Sequence, residues 1–325
     1  VAQQLMRSAV VVGTGLIGAS VALALTGRGV DTYLVDRDPQ AALTAAAAGA
    51  GTAGRPGAPV DLAVIAVPPR HTAAVLREAQ QASLARYFTD VASVKAGPQQ
   101  EAAERGVDLA RYVGGHPMAG SERSGPLAAR ADLFHGRPWI LTPSAHSHDD
   151  AVSCALALVE ACGARAQFME HTEHDRAVAL TSHAPHLVSS LLAARLLHSD
   201  EAQLRVAGQG LRDTTRIAGG DSRLWTDILG SNAAAVADIL GDLALDLHVV
   251  LDALRDLGLD DPQARHRGTA ELGAALLRGA QGQARIPARA ADPNRADPNR
   301  ADPNRADPNR AAETRQLSGA AAAQL

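Results

Sequence analysis

At 325 residues the chain is long enough for two medium domains, each with a core of its own. Its 35 acidic and 31 basic side chains nearly balance, and no block of Lys or Arg stands out, which excludes a nucleic-acid or membrane-surface role. Aromatic residues make up 2% of the chain, so ring-walled pockets are not expected and Trp139 and Trp225 become worth locating.

The run from Ser8 to Gly27 carries no charge and approaches the length of a membrane span, with Arg7 before it as in a signal peptide. Gly13, Gly15 and Gly18 interrupt it where the β-branched stretch Val10-Val11-Val12 ends. A helix-like stretch, Ala19 to Leu25, and a second strand, Thr32 to Val35, follow. A βαβ unit explains all of these features, whereas a leader peptide explains only the apolarity; a cytoplasmic location is expected. Further strands are predicted at Leu62–Ala66, Tyr87–Asp90, Tyr112–Gly114 and Trp139–Leu141, with a helix over Asp150–Cys162 and a short strand at Gln167–Met169. Strands this apolar are covered on both faces. Residues 1–170 therefore read as a Rossmann-like, doubly wound parallel α/β sheet. Cys154 and Cys162, eight apart along one helix, are too far separated to bond and read as two buried thiols.

From His171 the pattern changes to long stretches of helical period, such as Ala177–Leu197 and Asn232–Leu254. Residues 171–285 are expected to form an all-helical second domain. Over residues 286–325 order is expected to fail. Ala-Asp-Pro-Asn-Arg repeats four times from Ala291 to Arg310, its prolines forbid helix, and nothing apolar larger than alanine is available to bury.

The glycine loop Gly13-Thr14-Gly15-Leu16-Ile17-Gly18 lies between a strand and a helix, the setting a dinucleotide fingerprint needs. Gly13 suits the tight turn, Gly15 a close pyrophosphate, and Gly18 close helix–strand packing, with the helix N-terminus facing the phosphates. Asp36, eighteen residues past Gly18, ends the second strand and is placed to accept from the adenosine ribose hydroxyls, which favours NAD over NADP. Arg37 beside it either pairs with a 2′-phosphate or stacks on adenine. Val67 and Pro68, and the turn Asp90-Val91-Ala92-Ser93-Val94-Lys95, follow strands on the same edge and are expected to border the nicotinamide.

Gly114-Gly115-His116-Pro117-Met118-Ala119-Gly120-Ser121-Glu122 follows a strand, so its histidine is presented at that edge too. Oxidising an alcohol requires a base for the hydroxyl proton, and neutral imidazole suits this near pH 7. Here the chain resembles the prephenate and arogenate dehydrogenases. The segments GTGLIGAS, DVASVK, GGHPMAGSE, HDRAVALTSHAPH and RDTTRIAGGDSRLWTDI carry the likeness, in family order, over roughly residues 9–285. The resemblance implies NAD-dependent oxidative decarboxylation of prephenate to 4-hydroxyphenylpyruvate in tyrosine biosynthesis. It implies His116 as proton acceptor at the ring hydroxyl, with Ser93 near that hydroxyl and the nicotinamide. It also implies Arg216 on a substrate carboxylate, His186 at the pyruvyl side chain, Ser121 and Glu122 at the pocket entrance, and a homodimer built on the helical domain. Physically, a guanidinium binds a carboxylate bidentately, as a dicarboxylate substrate would require.

His171 with His174, and His183 with His186, share a spacing that suits one helical face. No cysteine accompanies them and Pro185 interrupts the second pair, so no metal is expected. His183 and His186 are read as facing the substrate cleft, His171 and His174 as lying near a helix start. Asp175 either orients a pocket group or caps that helix, and Trp225 reads as a packing anchor. Two rival readings remain beside the arogenate alternative. A β-hydroxyacid-type dehydrogenase would need a lysine in the helical domain, but Lys95 is the only lysine of the chain. A non-catalytic NAD-binding sensor would not need His116, Ser93 and Arg216 together. Many bacterial relatives carry a regulatory domain where the proline repeat stands here, so tyrosine feedback through such a domain is not expected.

Overall fold

The computed structural model describes residues 6–120 and 124–287, and its framework is one eight-stranded sheet. The strands are Ser8–Val12 (β1), Asp31–Val35 (β2), Thr52–Ala53 (β3), Val60–Ile65 (β4), Ala85–Asp90 (β5), Tyr112–Pro117 (β6), Pro138–Pro143 (β7) and Arg165–Phe168 (β8). Their spatial order is β3-β2-β1-β4-β5-β6-β7-β8. All neighbours run parallel except β6 and β7. The chain winds one way from β1 to β3 and the other way from β4, so a crevice opens at the carboxyl ends of β1 and β4.

Alternation along each strand feeds two cores. Ala9, Val11, Leu62 and Val64 point into one, where they meet the helices Leu16–Thr26 (α1) and Asp149–Ala161 (α5). Val10, Ala63 and Ile65 point into the other, under Pro69–Gln81 (α3) and Ala96–Glu104 (α4). Pro39–Ala47 (α2) completes the crossovers, started by Asp38, whose carboxylate accepts from the Gln40 N–H. Cys154 and Cys162 are buried free thiols, with burial pushing both pKa values up to about 12.

The Rossmann-like, parallel-dominated sheet matches the sequence reading, with three local differences. The two-residue β3 carries no period of its own and was not expected. β7 runs against β6, which makes the sheet mixed at that edge. His116 lies within β6, opposite Ile140, and not in a turn after it. Gly114 and Gly115 allow that pairing: a Cβ on Gly114 would meet Thr142 Oγ1 at 2.4 Å, and one on Gly115 the Asp90 carbonyl oxygen at 2.5 Å.

After β8 the chain is helical: His171–Val178 (α6), Ala184–Arg195 (α7), Glu201–Arg205 (α8), Gln209–Thr215 (α9), Ser222–Ser231 (α10), Ala233–Gly258 (α11) and Pro262–Ala284 (α12). The expected continuous helix over 177–197 is broken by a π-helical turn, Ala179–His183. Pro185 lacks an N–H and crowds the carbonyl four residues back, and the wider turn relieves both problems. Among the described residues no helix is long and apolar enough to cross a membrane. The proline repeat, Ser121 and Glu122 lie outside the described residues.

Candidate active site

Gly13 takes φ +101°, and a Cβ there would meet the Ala66 carbonyl oxygen at 2.3 Å. A Cβ on Gly18 would meet the Gly13 carbonyl oxygen at 1.9 Å, so only glycine lets α1 sit this close to β1 and β4. Gly15 differs, since nothing lies within 4 Å of its Cβ position. No side chain caps α1, and its first N–H groups face this open ground. The arrangement fits a bound pyrophosphate. Leu16 and Ile17 begin the helix and pack on the core below.

Asp36 Oδ2 accepts from the Thr14 N–H at 2.6 Å and from its hydroxyl at 2.9 Å, which ties the glycine loop to the end of β2. Arg37 is exposed beside it. Val67 and Pro68 lead from β4 into α3, and half-buried Ser93 lies between β5 and α4.

Below His116 sits a buried polar cluster. Lys95, entirely buried, pairs its ammonium with Asp90 and donates to the Gly115 carbonyl at 2.6 Å. Tyr112 donates to Asp90 at 2.5 Å. Burial lowers the Lys95 pKa, against the pull of Asp90 and Asp175, and the same burial with Asp90 drives the Tyr112 phenol well up. The sole lysine is therefore a strut under β6, on the sheet side of the molecule.

His116 is half-buried, and its Nδ1 lies 2.8 Å from His174 Nε2. His174 Nδ1 lies 2.7 Å from Asp175 Oδ1, and Asp175 accepts from the N–H groups of Lys95 (2.8 Å) and Ala96 (2.9 Å) where α4 begins. Burial pushes the His116 pKa well below its ordinary value, and His174, Lys95 and His183 add to the shift. The imidazole is neutral near pH 7 and able to accept a proton. Asp175 thus reaches His174 and holds the start of α4, whereas the helix start beside His171 is capped by Glu170, which accepts from the Thr172 and Glu173 N–H groups.

A second group forms in the helices. His186 stacks on Trp225 with centroids 3.6 Å apart, and its Nδ1 is buried with no hydrogen-bond partner among the described residues. His183 meets Trp225 edge-on and bonds to Asn232 Nδ2 at 3.1 Å, while Asn232 also donates to the Asp175 carbonyl at 2.7 Å. Burial lowers both histidine pKa values, that of His183 to about 4. Ser189 donates to the Thr214 carbonyl and so anchors the end of α9 to α7. The next residues, Arg216–Gly219, form a 3-10 turn against α7. Arg216 is exposed there and pairs with no carboxylate among the described residues. Gly220 follows, where a Cβ would meet Trp225 Nε1 at 2.6 Å.

The structure thus groups His116 with His174 and Asp175, and His183 and His186 with Trp225. His171 parts from His174 and pairs with Glu170 at 2.6 Å. Among the described residues no three His, Cys, Asp or Glu side chains gather to hold a metal ion. Sequence reasoning left His174, Asn232 and Tyr112 outside the site, and placed Asp90 and Lys95 only in the turn expected to border the nicotinamide. A solitary lysine two residues after Ser93 was the one signal for the cluster; a partner 58 residues from His116 left none.

Residues 21–168 match the family model "Prephenate dehydrogenase, nucleotide-binding domain", and residues 170–261 match "Prephenate dehydrogenase, dimerization domain". The chain is 50% identical over 203 residues to the probable prephenate dehydrogenase NovF of Streptomyces niveus, covering 62% of this chain and 56% of that protein. It is 32% identical over 228 residues to the prephenate dehydrogenase of Bacillus subtilis, covering 66% and 61% respectively. These matches span little more than half the length of either relative. The solved arogenate dehydrogenase of Synechocystis aligns at 26% identity with a TM-score of 0.67, over 85% of this chain and 98% of that one. A prephenate dehydrogenase from A. aeolicus, solved with hydroxyphenyl propionate and NAD+, shares the fold: TM-score 0.74 at 24% identity, over 87% of this chain and 99% of that one. Two adjoining domain models, a half-identical relative and a shared fold agree: the chain belongs to the prephenate dehydrogenase family.

Proposed function

We propose that the chain is an NAD-dependent dehydrogenase that converts prephenate to 4-hydroxyphenylpyruvate with loss of carbon dioxide, a step of tyrosine biosynthesis. The observation that carries this reading is His116, a neutral imidazole at the ligand-binding edge of the sheet with Nδ1 bonded to His174. The cradle of Gly13, Gly15 and Gly18, the uncapped start of α1, and Asp36 with Arg37 suit an adenosine diphosphate, with Val67, Pro68 and Ser93 beside the nicotinamide. When bound, NAD supplies the hydride acceptor for the ring carbon that bears the hydroxyl. His116 takes the hydroxyl proton, and Ser93 hydrogen-bonds near that oxygen. Arg216 binds a carboxylate bidentately. The unpartnered Nδ1 of His186, with His183 behind it, serves the pyruvyl side chain. Ser121 and Glu122 shape the entrance. Departure of carbon dioxide leaves an aromatic ring, so the protein supplies position, a proton acceptor and carboxylate control.

In this reading residues 1–170 hold the cofactor, 171–285 bind substrate and pair two subunits, and 286–325 form a tail. Exposed leucines on α11 and α12, among them Leu245, Leu247, Leu276 and Leu277, support a homodimer. A cytoplasmic location follows from the demand for NAD. The deciding experiment measures reduced cofactor with prephenate and arogenate in parallel, each with NAD and NADP. Fastest turnover of prephenate with NAD is expected. Turnover confined to arogenate or to NADP would replace that specificity, and none with any pair would leave only a dinucleotide-binding sensor.

A further inference from the structure

We infer that His174 and Asp175 are positioning residues for the His116 base: they keep its proton on Nδ1 and leave Nε2 as the atom that receives the substrate proton. This rests on the role of His116 proposed above. Asp175 is the fixed end of the series. Its two oxygens accept from the Lys95 and Ala96 N–H groups at the amino end of α4, so both face donors. A carboxylate only accepts, so the His174 nitrogen 2.7 Å from it, Nδ1, carries the hydrogen. With that single hydrogen on its ring, His174 presents a bare Nε2, and the group 2.8 Å from that nitrogen is His116 Nδ1, which must donate. A neutral imidazole has one hydrogen to place, so the Nε2 of His116 is left with its lone pair.

Each ring is also held mechanically. His174 is fully buried, and its ring meets that of His116 edge-on at 72°. Asp175 is fixed from behind as well, since its own carbonyl accepts from Asn232 at 2.7 Å. The charged and titratable groups around His116 are Lys95, whose ammonium is occupied by Asp90 and the Gly115 carbonyl, then His174, and His183 from the π-helical turn. Asp90 is itself shared between Lys95 and Tyr112. Among the described residues the remaining anion that reaches the base is Asp175, through one intervening ring. A carboxylate in direct contact would favour the charged imidazole and spoil the base. Placed one imidazole further away, it passes on orientation while His116 stays neutral at rest. It still meets the positive charge that forms when Nε2 is protonated, as the aspartate of a Ser-His-Asp triad does for its histidine.

The test uses the full chain and two readouts. Nitrogen NMR of the unmutated protein with 15N-labelled histidine reports the tautomer directly, with the His116 signals assigned by their loss in His116→Asn. A hydrogen on Nδ1 and a pyridine-like Nε2 at pH 7.5 are expected; a hydrogen on Nε2 overturns the proposal. In kinetics, His174→Leu removes the acceptor and should lower kcat roughly 100-fold, with KM for substrate and NAD changing by less than about 3-fold. His174→Gln restores an acceptor toward His116 and a donor toward Asp175, and should recover kcat to within about 10-fold of the parent. Equal losses in the two variants would also overturn it. The NMR result does not depend on which substrate is turned over, so a failure of the prephenate reading and a failure of the tautomer are told apart.

Discussion

The sheet and the helices that follow it bury their apolar residues to different degrees. Val10, Val64 and Ile65 are 0% exposed, covered by helices on both faces, whereas Leu245 on α11 is 70% exposed and Leu276 on α12 is 68% exposed. The first region satisfies its hydrophobic surface within one chain; the second presents an apolar exterior suited to a second copy. The chemistry divides along the same line. His116, the base proposed above, and the glycine loop sit at the sheet edge, while the stacked His186 and the guanidinium of Arg216 belong to the helices.

If the sheet region owns proton removal and the helical region owns the grip on substrate, substitutions should separate kcat from KM. The largest effect is expected for His116→Asn, which should lower kcat by roughly 10²–10⁴-fold, the span that general base catalysis contributes. NAD affinity by titration should stay within a few-fold, and a parallel loss of NAD binding would place His116 in the framework of the sheet. A smaller effect is expected for Arg216→Ala. Loss of a charge-assisted contact worth about 1.5–3 kcal/mol should raise the KM for prephenate by roughly 10- to 100-fold, with kcat changed less. An unchanged KM in steady-state assays removes Arg216 from the pocket.

The smallest effect is one the two regions share. Burial lowers the pKa values of His116 at the sheet edge and of His183 and His186 in the helices, with that of His183 at about 4. In the unfolded chain each returns to about 6.5, so between these values the unfolded state binds more protons than the folded one. The stability that these groups confer as neutral rings is present above pH 6.5 and is lost as pH falls towards 4. The slope is at most about 1.4 kcal/mol per pH unit for each histidine. Thermal melts from pH 7.5 to 5 should show Tm falling over this window, and a flat profile would contradict the neutral burial of these rings.

How much of this could be read from the residues follows from the range of the forces. β1, α1 and β2 were legible because Gly13, Gly15, Gly18 and Asp36 are spaced by local geometry, and the structure gives the outer two glycines the contacts that exclude a side chain. The strand that carries His116 was legible, but its true length was not, since pairing with an antiparallel β7 is decided by how the chain returns from residue 117 to residue 138. The His116–His174–Asp175 chain was hidden for the same reason. Asp175 bonds to backbone 80 residues earlier, and no periodicity reports a contact of that span. Pro185 did mark a break in the long helix, though its form, a π turn, reflects how the flanking helices are held.

That turn has a consequence for how this protein tolerates insertions and deletions. Five residues, Ala179–His183, are wound more loosely than the helix on either side. Excising one of them, Leu180 for instance, would let the segment close into ordinary α-helix: four residues at about 100° each carry the chain round nearly as far as five wound more loosely, so the helix downstream would keep its facing. His186 would keep the indole face of Trp225, and Ser189 its hold on Thr214. A single-codon deletion in this turn would thereby be absorbed, whereas one within α7, which has no slack to close, would turn every later residue of that helix by about 100°.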